Sequence, residues 1–481
     1  MKKKIFWTII IVIATIAIAF LFFFLIKNND EAINSTIRIK TDNTTIDNKI
    51  VNMQGHWKNE DLREDFVLET IKEFELRNPG IKTNIKWNMD FEGGRIGAIE
   101  ETIEQFKTGD IKWDIIWLEP FYYQEIANEL GDQNWGLNHL VNFENIDTFN
   151  DSQKPFILSD PQYRNHMNGI ITGPYIEGFY QPLFYNKNLA DEIGLEIKNS
   201  NMTFDDLFNY FKQISEYNEK NGTNIPILYD SGDYKGGIGY APSTWNIFQS
   251  LFRSEINDIN EAKSTEPSEK KLLVVKKVLE SIEKLSQFKP LIPGWKDLPW
   301  FDTRYYVLED RAVFTACGAS WMYSHWHGID AEKTMNMVPV EMPVYQPINY
   351  YIGGYNPMFA VAKNSPVKNE AIELLMTFAK PASAEKWIRY AKAPSGIQGN
   401  VSMAGEVSKE TDQYDNFISY ITDKYTGNVF DSKTVDYILG EKYKDLTLQF
   451  NIYLGSVMDG EMTANEAYDN ILNDMNEIDN K

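Results

Sequence analysis

The sequence predicts an α/β fold with open sheets, distributed over two lobes. Short apolar segments typical of strands alternate with segments that place apolar residues at helical spacing. About 430 residues follow the N-terminal segments, which is too many for one ordinary hydrophobic core and suits two. No single linker rich in glycine, proline or serine separates two halves. We therefore expect the lobes to be joined by several crossings of the chain.

Residues 1–27 predict a membrane anchor. Three lysines precede an apolar run from Ile5 to Ile26 that is interrupted only by two threonines. At about 1.5 Å per residue, one helix of this length crosses a hydrocarbon core roughly 30 Å thick. The lysines should stay in the cytoplasm, which sends the rest of the chain into the periplasm or onto the cell surface. A cleaved signal peptide stays open as an alternative, although Ala17-Ile18-Ala19 lies inside the apolar run.

Residues 28–47 predict a tether between this anchor and the folded part. They are rich in asparagine, threonine, aspartate and isoleucine and lack helical periodicity. No later run of apolar residues is long enough for a second spanning helix. We expect one spanning segment followed by an extracytoplasmic domain.

Several elements of that domain can be placed from periodicity and end signals. Val67, Ile71 and Phe74 form one stripe of a helix over 65–77. Thr203 and Asp206 have the spacing of a capping box at the start of another helix. Further segments are predicted as a strand over 49–53, a strand over 81–87, a helix over 100–106, a strand over 112–118 and a helix over 369–379.

Charge excludes one class of ligand. The chain has 47 basic and 69 acidic residues and a net charge of −22. A surface of that sign repels polyanions, so no nucleic acid is expected as a partner. The chain has one cysteine, Cys317, and therefore forms no internal disulfide.

Motifs spread over most of the domain resemble one known family. Leu183–Ala190 followed by Thr203–Leu207 is the most specific of them, and the others occur in matching order at Phe74–Ile81, Trp113–Trp117, Asp310–Trp321, Gly353–Ser365 and Val457–Ala467. Together they are similar to extracellular solute-binding protein family 1, the sugar-binding, maltose-binding-protein-like proteins of ABC importers. Two features depart from that family. No cysteine is present for an N-terminal lipid, and the loops at 91–94 and 131–136 do not align well.

The resemblance implies a two-lobe periplasmic-binding-protein-like fold of type II with a ligand cleft. Lobe 1 should comprise residues 48–165 and 345–392, and lobe 2 residues 166–344 and 393–481. The implied function is capture of a small carbohydrate and its delivery to an ABC transporter permease in the membrane. On this interpretation the protein is not an enzyme, uses no cofactor or metal and acts as a monomer.

Family position also implies a set of ligand-binding residues. Aromatic rings pack against the C–H faces of sugars, and carboxylates or backbone groups bind the hydroxyls. Two adjacent glycines would let a ligand approach the backbone. The residues expected to bind ligand are Trp57, Trp117, Glu119, Tyr175, Trp245, Trp321, Gly353, Gly354 and Tyr355.

Other functions stay open at this point. The same clamp could serve as a ligand-sensing subunit of a membrane signalling protein. A glycosidase needs only two carboxylates about 5–10 Å apart, which so acidic a chain does not rule out. His325-Trp326-His327 would place two rings on one face of a strand, but no carboxylate or third histidine is expected nearby, so no metal site is predicted.

Overall fold

The structure is a computed structural model that describes residues 49–165, 167–232, 240–398, 412–425, 427–429 and 434–480. Its strands fall into three sheets. The strands are β1 Lys49–Gly55, β2 Ile81–Trp87, β3 Ile115–Trp117, β4 Glu177–Tyr180, β5 Leu183–Asn186, β6 Leu228–Tyr229, β7 Phe314–Thr315, β8 Met337–Val340, β9 Tyr350–Asn356, β10 Phe359–Val361 and β11 Gly427–Val429.

Helices cover the sheets and connect the strands. The α-helices are α1 Leu62–Arg77, α2 Arg95–Thr108, α3 Pro120–Leu130, α4 Trp135–His139, α5 Phe149–Ser152, α6 Pro155–Ser159, α7 Pro161–Asn165, α8 Lys187–Ile193, α9 Phe204–Asn221, α10 Pro242–Ile256, α11 Ile259–Lys263, α12 Glu269–Ser286, α13 Thr303–Tyr306, α14 Met322–Ile329, α15 Ala331–Thr334, α16 Lys368–Phe378, α17 Pro381–Ala391, α18 Asp412–Lys424, α19 Asp436–Leu439, α20 Thr447–Met458 and α21 Ala464–Asp479. Short 3₁₀ turns lie at Asn88–Asp90, Phe143–Asn145, Trp295–Asp297, Trp300–Asp302, Val307–Glu309 and Glu441–Leu446.

Lobe 1 is built on a four-stranded sheet in the order β10-β3-β1-β2. β1 runs parallel to β2 and β3, and β10 is antiparallel to β3. The hydrophobic core of this lobe draws on residues 51–176 and 355–393. Because β1 and β3 are parallel, their carboxyl ends lie at the same edge of the sheet, where ligand sites of open α/β sheets are found.

Lobe 2 is built on a second four-stranded sheet in the order β6-β7-β5-β8. Its core draws on residues 180–351 and 414–475. Helix α9, which covers this sheet, begins with the predicted capping box: the Asp206 amide donates to Thr203 Oγ1 at 3.2 Å, and the Thr203 amide donates to Asp206 Oδ2 at 2.9 Å. Two separate cores, each with its own sheet, give the two-lobe α/β architecture.

A third sheet, in the order β11-β9-β4, lies where the chain passes between the two cores. β4 leads from the core of lobe 1 to that of lobe 2, and β9 leads back. A third crossing falls between residues 393 and 414. The two strands pair closely, since a Cβ atom on Gly353 would lie 2.4 Å from the carbonyl oxygen of Phe179. Several crossings therefore join the lobes, as expected from the missing linker.

The strand predicted over 81–87 is confirmed, and the helices predicted over 65–77 and 369–379 appear as α1 and α16 with ends shifted by up to three residues. The predicted anchor and tether, residues 1–27 and 28–47, lie outside the described residues. Within the part of the chain that is described, no helix combines the length and apolar character needed to span a membrane.

Candidate functional site

Charged side chains from both lobes meet at the carboxyl ends of β1 and β3. Lobe 1 and β4 contribute carboxylates, guanidinium groups and one imidazole, and lobe 2 contributes a guanidinium group and a second imidazole. We call this set the cleft cluster; it comprises His56, Glu60, Arg63, Arg95, Glu119, Glu177, Arg304 and His325.

The chain brings the lobe 1 members together through the starts of three helices. β1 ends at Gly55, where a side chain would collide with Ile85 and Trp87, and His56 follows directly. Glu60 precedes α1 and Arg63 lies in its first turn. Arg95 begins α2 after two glycines with positive φ, and Glu119 is the N-cap of α3. Each side chain therefore stands at the edge of the sheet that faces lobe 2.

Arg63 is the centre of the cluster. Its Nη1 atom lies 3.1 Å from Glu60 Oε2, and its Nη2 atom donates to Glu177 Oε1 at 2.9 Å. The guanidinium carbon also lies 5.1 Å from the ring centre of Trp57 and 5.4 Å from that of Trp387. Arg63 is 3% exposed, so these carboxylates and rings, rather than water, stabilise its positive charge.

Glu60 and Glu119 extend the cluster toward its neighbours. Glu60 Oε1 lies 3.8 Å from Arg95 Nη2, and Glu60 Oε2 lies 3.6 Å from His325 Nε2 of lobe 2. Glu119 Oε1 lies 3.8 Å from His56 Nε2. Among the carboxylates of the cluster, Glu60 is therefore the one that lies next to a histidine of the opposite lobe.

Burial sets the protonation of the cluster. It raises the pKa of Glu177 to about 7, and Glu119 and Glu60 add to that rise while Arg63 opposes it. Burial also lowers the pKa of His56 and of His325 well below the ordinary value, assisted by nearby arginines. Both imidazoles are therefore neutral at pH 7, and their contacts with Glu119 and Glu60 are not ion pairs at that pH.

Tryptophans flank the charged groups on both sides. In lobe 1, Trp117 stacks on His56 with ring centres 5.2 Å apart. The guanidinium carbon of Arg95 lies 5.9 Å from the ring centre of Trp117. In lobe 2, Trp321 lies 5.3 Å from the ring of His325 and 6.2 Å from that of Trp300. Aromatic surface beside a few placed polar groups is the usual composition of a small-molecule site.

Contacts also join the lobes beside the cluster. His327 Nδ1 lies 2.5 Å from Asp61 Oδ2, and both groups are partly exposed. Lys392, at the end of α17 in lobe 1, binds both carboxylate oxygens of Asp415 in α18, at 2.9 and 2.8 Å. The ring of Tyr323 lies 5.3 Å from that of His327 and 5.9 Å from Lys392 Nζ, so both contacts join the lobes in one region beside the cluster.

Four of the sequence-predicted site residues lie in or beside the cleft cluster: Trp57, Trp117, Glu119 and Trp321. Trp57 is 1% exposed and also packs against Trp387, so only part of its surface faces the charged groups. The role of these residues in ligand binding stays a prediction.

The structure does not bring the other five predicted residues to the cluster. Trp245 packs inside lobe 2 between Phe248 and Phe450. Tyr175 packs on Tyr163 and donates to its carbonyl oxygen. The remaining three, Gly353, Gly354 and Tyr355, lie in β9 and pair with β4.

Gly353 has a structural reason to lack a side chain. A Cβ atom there would collide with the Phe179 carbonyl, so the glycine allows β4 and β9 to approach each other. Tyr355 packs on Phe156 and Tyr163, and its hydroxyl lies 3.3 Å from that of Tyr180. The described contacts thus explain both residues by packing between strands and rings.

The sequence-based placement of His325-Trp326-His327 on a strand is wrong. These residues lie in α14, where positions two apart point in different directions, and each histidine meets a different acidic residue of lobe 1. The expectation that no carboxylate lies near is wrong for the same reason. Among the described residues, no three potential ligands gather as a metal site.

Sequence reasoning missed most of the charged members of the cluster. These are His56, Glu60, Arg63, Arg95, Glu177 and Arg304. His56 precedes the predicted Trp57, and Arg95 follows the loop that aligned poorly with the family. The sequence offered two signals: His56 directly follows β1, and Arg95 directly follows two glycines.

No protein-family model matches the chain, and no curated protein matches it in sequence. Solved structures do match in fold. The GacH receptor of Streptomyces glaucescens, described unliganded and with acarbose, is 14% identical with a TM-score of 0.61, over 89% of this chain and 98% of that chain. A chitin oligosaccharide binding protein is 15% identical with a TM-score of 0.59, over 90% of this chain and 100% of that one.

A maltose-bound MalE3 protein of T. maritima is also similar, with 15% identity, a TM-score of 0.59 and coverage of 89% of this chain and 99% of that one. At these identities the likeness shows the fold. The chain has the two-lobe α/β fold of the periplasmic binding proteins. The first of these neighbours is named as a receptor and the second as a binding protein.

Proposed function

We propose that this protein captures a carbohydrate between its lobes and delivers it to the permease of an ABC transporter. The observation that carries the proposal is the cleft cluster, where buried polar groups and tryptophans of both lobes face one another. The structural neighbours support the ligand class, since their names or titles mention acarbose, chitin oligosaccharide and maltose. The motifs in the sequence support membership of solute-binding protein family 1.

The chemistry of the cluster suits a sugar. Trp321 of lobe 2 is partly exposed and offers a ring for the C–H face of a pyranose, whereas Trp117 of lobe 1 is fully buried and packs against His56. Glu119 is about one quarter exposed beside His56 and can accept from hydroxyl groups. Because these groups belong to different lobes, a ligand that binds them all favours the arrangement in which the lobes are close together.

Closure about the third sheet completes the proposed mechanism. The closed arrangement carries contacts between lobes of its own, including His327 with Asp61 and Lys392 with Asp415. A ligand adds its own contacts to these and shifts the population toward the closed form, which is the form expected to dock on the permease. No covalent step is involved.

The location and partners belong to the same proposal. The apolar run at 5–26 supports a single-pass anchor that holds the binding domain outside the cytoplasm as a monomer. An anchor of this kind raises the local concentration of the binding domain near a membrane permease. The proposed lobe limits are 48–165 with 345–392 and 166–344 with 393–481. The two hydrophobic cores instead change over between residues 176 and 180 and between residues 351 and 355.

A thermal-shift screen tests the function. The full-length chain in detergent micelles is heated with mono- and oligosaccharides, and each sugar is recovered afterwards. A ligand at about 100 times its dissociation constant stabilises the folded form by roughly 2.7 kcal/mol, which moves the midpoint by a couple of degrees. We expect a clear shift with at least one sugar that is recovered unchanged. A screen without any shift would count against carbohydrate as the ligand, and recovery of cleaved sugar would indicate a glycosidase.

A further inference from the structure

Arginine side chains are concentrated in the cleft of an otherwise acidic protein, where they stand beside Glu60, Glu119 and Glu177. The chain carries a net charge of −22 and nine arginines, and three of these arginines are members of the cleft cluster. Arg63 and Arg95 come from lobe 1, and Arg304 comes from lobe 2. The guanidinium carbon of Arg304 lies 5.4 Å from the ring centre of Trp300, whose ring is 6.2 Å from that of Trp321. Trp321 packs on His325, which lies 3.6 Å from Glu60, so Arg304 belongs to the lobe 2 side of the cluster.

The carboxylates of the cluster do not satisfy the donors around them. Arg63 gives one hydrogen bond to Glu177, and its buried Nε atom has no acceptor among the described residues. Its buried Nη1 atom lies 3.1 Å from Glu60 Oε2 as an ion pair, without the geometry of a hydrogen bond. Within the same residues, the buried Nε atom of Arg95 likewise lacks an acceptor, and its Nη2 atom is 3.8 Å from Glu60, beyond hydrogen-bond distance. Unmet charged donors in a buried site are costly.

Neutral donors add to this excess. In the described part of the chain the indole Nε1 atoms of Trp57 and Trp117 are buried without acceptors. On the acceptor side, Glu60 Oε2, Asn88 Oδ1 and Asn356 Oδ1 are buried in or beside the cluster without a hydrogen-bond donor among the described residues. Hydrogen-bond donors thus outnumber acceptors where the lobes meet.

We propose that the ligand is an acidic sugar, a hexuronate or an oligosaccharide containing one, whose carboxylate binds between Arg63 and Arg95 of lobe 1 and Arg304 of lobe 2. The inference rests on the proposed function and names its substrate class. A carboxylate supplies two acceptor oxygens in the plane that a guanidinium group matches, while the sugar ring meets the tryptophans. Because arginines of both lobes surround the ligand carboxylate, its negative charge also favours the closed arrangement of the lobes.

The acidic residues of the cluster favour one negative charge over two. Glu60 and Glu119 stand beside the arginines, so a phosphate ester, with nearly two negative charges at pH 7, meets greater repulsion than a carboxylate with one. A neutral sugar leaves the guanidinium donors with hydroxyl acceptors only, and these bonds are weaker than charge-assisted ones. The carboxylate is therefore the anion that best fits the cluster.

Matched ligands test the inference. Disaccharides containing galacturonate or glucuronate are compared by calorimetry with their galactose or glucose counterparts, which differ only at C6, using the full-length chain in detergent. We expect at least one acid to bind about tenfold or more tightly than its neutral counterpart. Equal or tighter binding of the neutral sugars would overturn the inference and leave the proposed function standing. Binding of neither kind of sugar would count against both.

A variant separates the arginine cluster from general charge effects. Arg95→Gln should reduce the preference for the acid to less than about threefold, while Arg95→Lys should retain part of it. Arg77→Gln, at the exposed end of α1, is the matched control and should retain the full preference. Unfolding midpoints establish that each variant folds. An unchanged preference in folded Arg95→Gln would show that the carboxylate does not bind there.

Discussion

Arg63 Nη2 donates a 2.9 Å hydrogen bond to Glu177 Oε1, and this bond joins the first turn of α1 to strand β4, through which the chain leaves lobe 1. Both side chains are less than one tenth exposed. Glu177 also pairs through its backbone with Asn356 of β9. The arginine at the centre of the cleft cluster is therefore tied directly to the sheet between the lobes, so movement at that sheet changes the environment of the cluster.

Glu177→Gln should change how stability depends on pH. The pKa of Glu177 rises from 4.5 in the unfolded chain to about 7 in the folded one, so the folded form binds the extra proton between these values. This carboxyl contributes stability that is present at low pH and lost as the pH rises toward 7. Relative to the wild type, the variant should gain roughly 2–3 kcal/mol in unfolding free energy between pH 4.5 and 7.5. Urea unfolding at several pH values measures the difference.

Glu216→Gln is the control for this prediction, because Glu216 is 62% exposed on α9. Its unfolding is measured over the same pH range. A constant difference between Glu177→Gln and the wild type would contradict the assigned pKa.

His325→Asn should reduce the loss of unfolding free energy that the wild type shows as the pH falls. The pKa of His325 is held well below 6.5 by burial and by Arg304, Arg63 and Arg95. Below pH 6.5 the unfolded chain takes up a proton that the folded chain does not, so the wild type loses stability as the pH falls. The variant should lose less between pH 6.5 and 5, as followed by urea unfolding. His139→Asn, which alters a residue packed on Phe106 outside the cluster, is measured alongside as the control.

Trp321→Ala and Trp245→Ala should have separate effects. Trp321 is partly exposed beside His325, so its loss should weaken sugar binding about tenfold or more with little change in unfolding free energy. Trp245 is packed between Phe248 and Phe450, so its loss should reduce the unfolding free energy by about 3–5 kcal/mol. Calorimetry and urea unfolding of both variants distinguish the two roles, and similar behaviour of the pair would contradict the assignment.

Lys392→Met should destabilise the protein strongly. The ammonium group binds both carboxylate oxygens of Asp415, and the two side chains are 5% and 7% exposed. Removing one partner of a buried ion pair costs about 3–5 kcal/mol because a charge is left in a poorly solvated place. Lys386 lies in α17, the helix that Lys392 follows, and contacts Glu69 of α1 at the surface. Lys386→Met breaks this contact and should cost about 1 kcal/mol or less. Equal losses in urea unfolding would show that the Lys392 pair is not buried in solution.

Much of the fold could be predicted because its signals are local. The strand at 81–87 follows a helix stop, and Thr203 with Asp206 forms a capping box whose partners are three residues apart. Two lobes followed from length alone. The His325 segment was misplaced because five of the eight residues of α14 are buried, so its sequence lacks the polar face that marks a surface helix.

The site could be predicted only in part because its contacts are long-range. Trp117 and Glu119 follow a recognisable strand, and motifs pointed to Trp321. By contrast, Arg63 and Glu177 are 114 positions apart, and no periodicity links them. Gly353 illustrates the reverse case, since a glycine required by strand packing has the same sequence signature as one required by a ligand.

The measurement with most weight is a calorimetric titration of the full-length chain with the sugar that gives the largest thermal shift. The sugar is recovered afterwards, so the titration tests whether the protein binds a carbohydrate without cleaving it. We expect saturable binding of one sugar per chain, weakened about tenfold or more in Trp321→Ala, and a sugar that is recovered chemically intact. The absence of binding heat with every sugar tried, or recovery of a hydrolysed product, would contradict it.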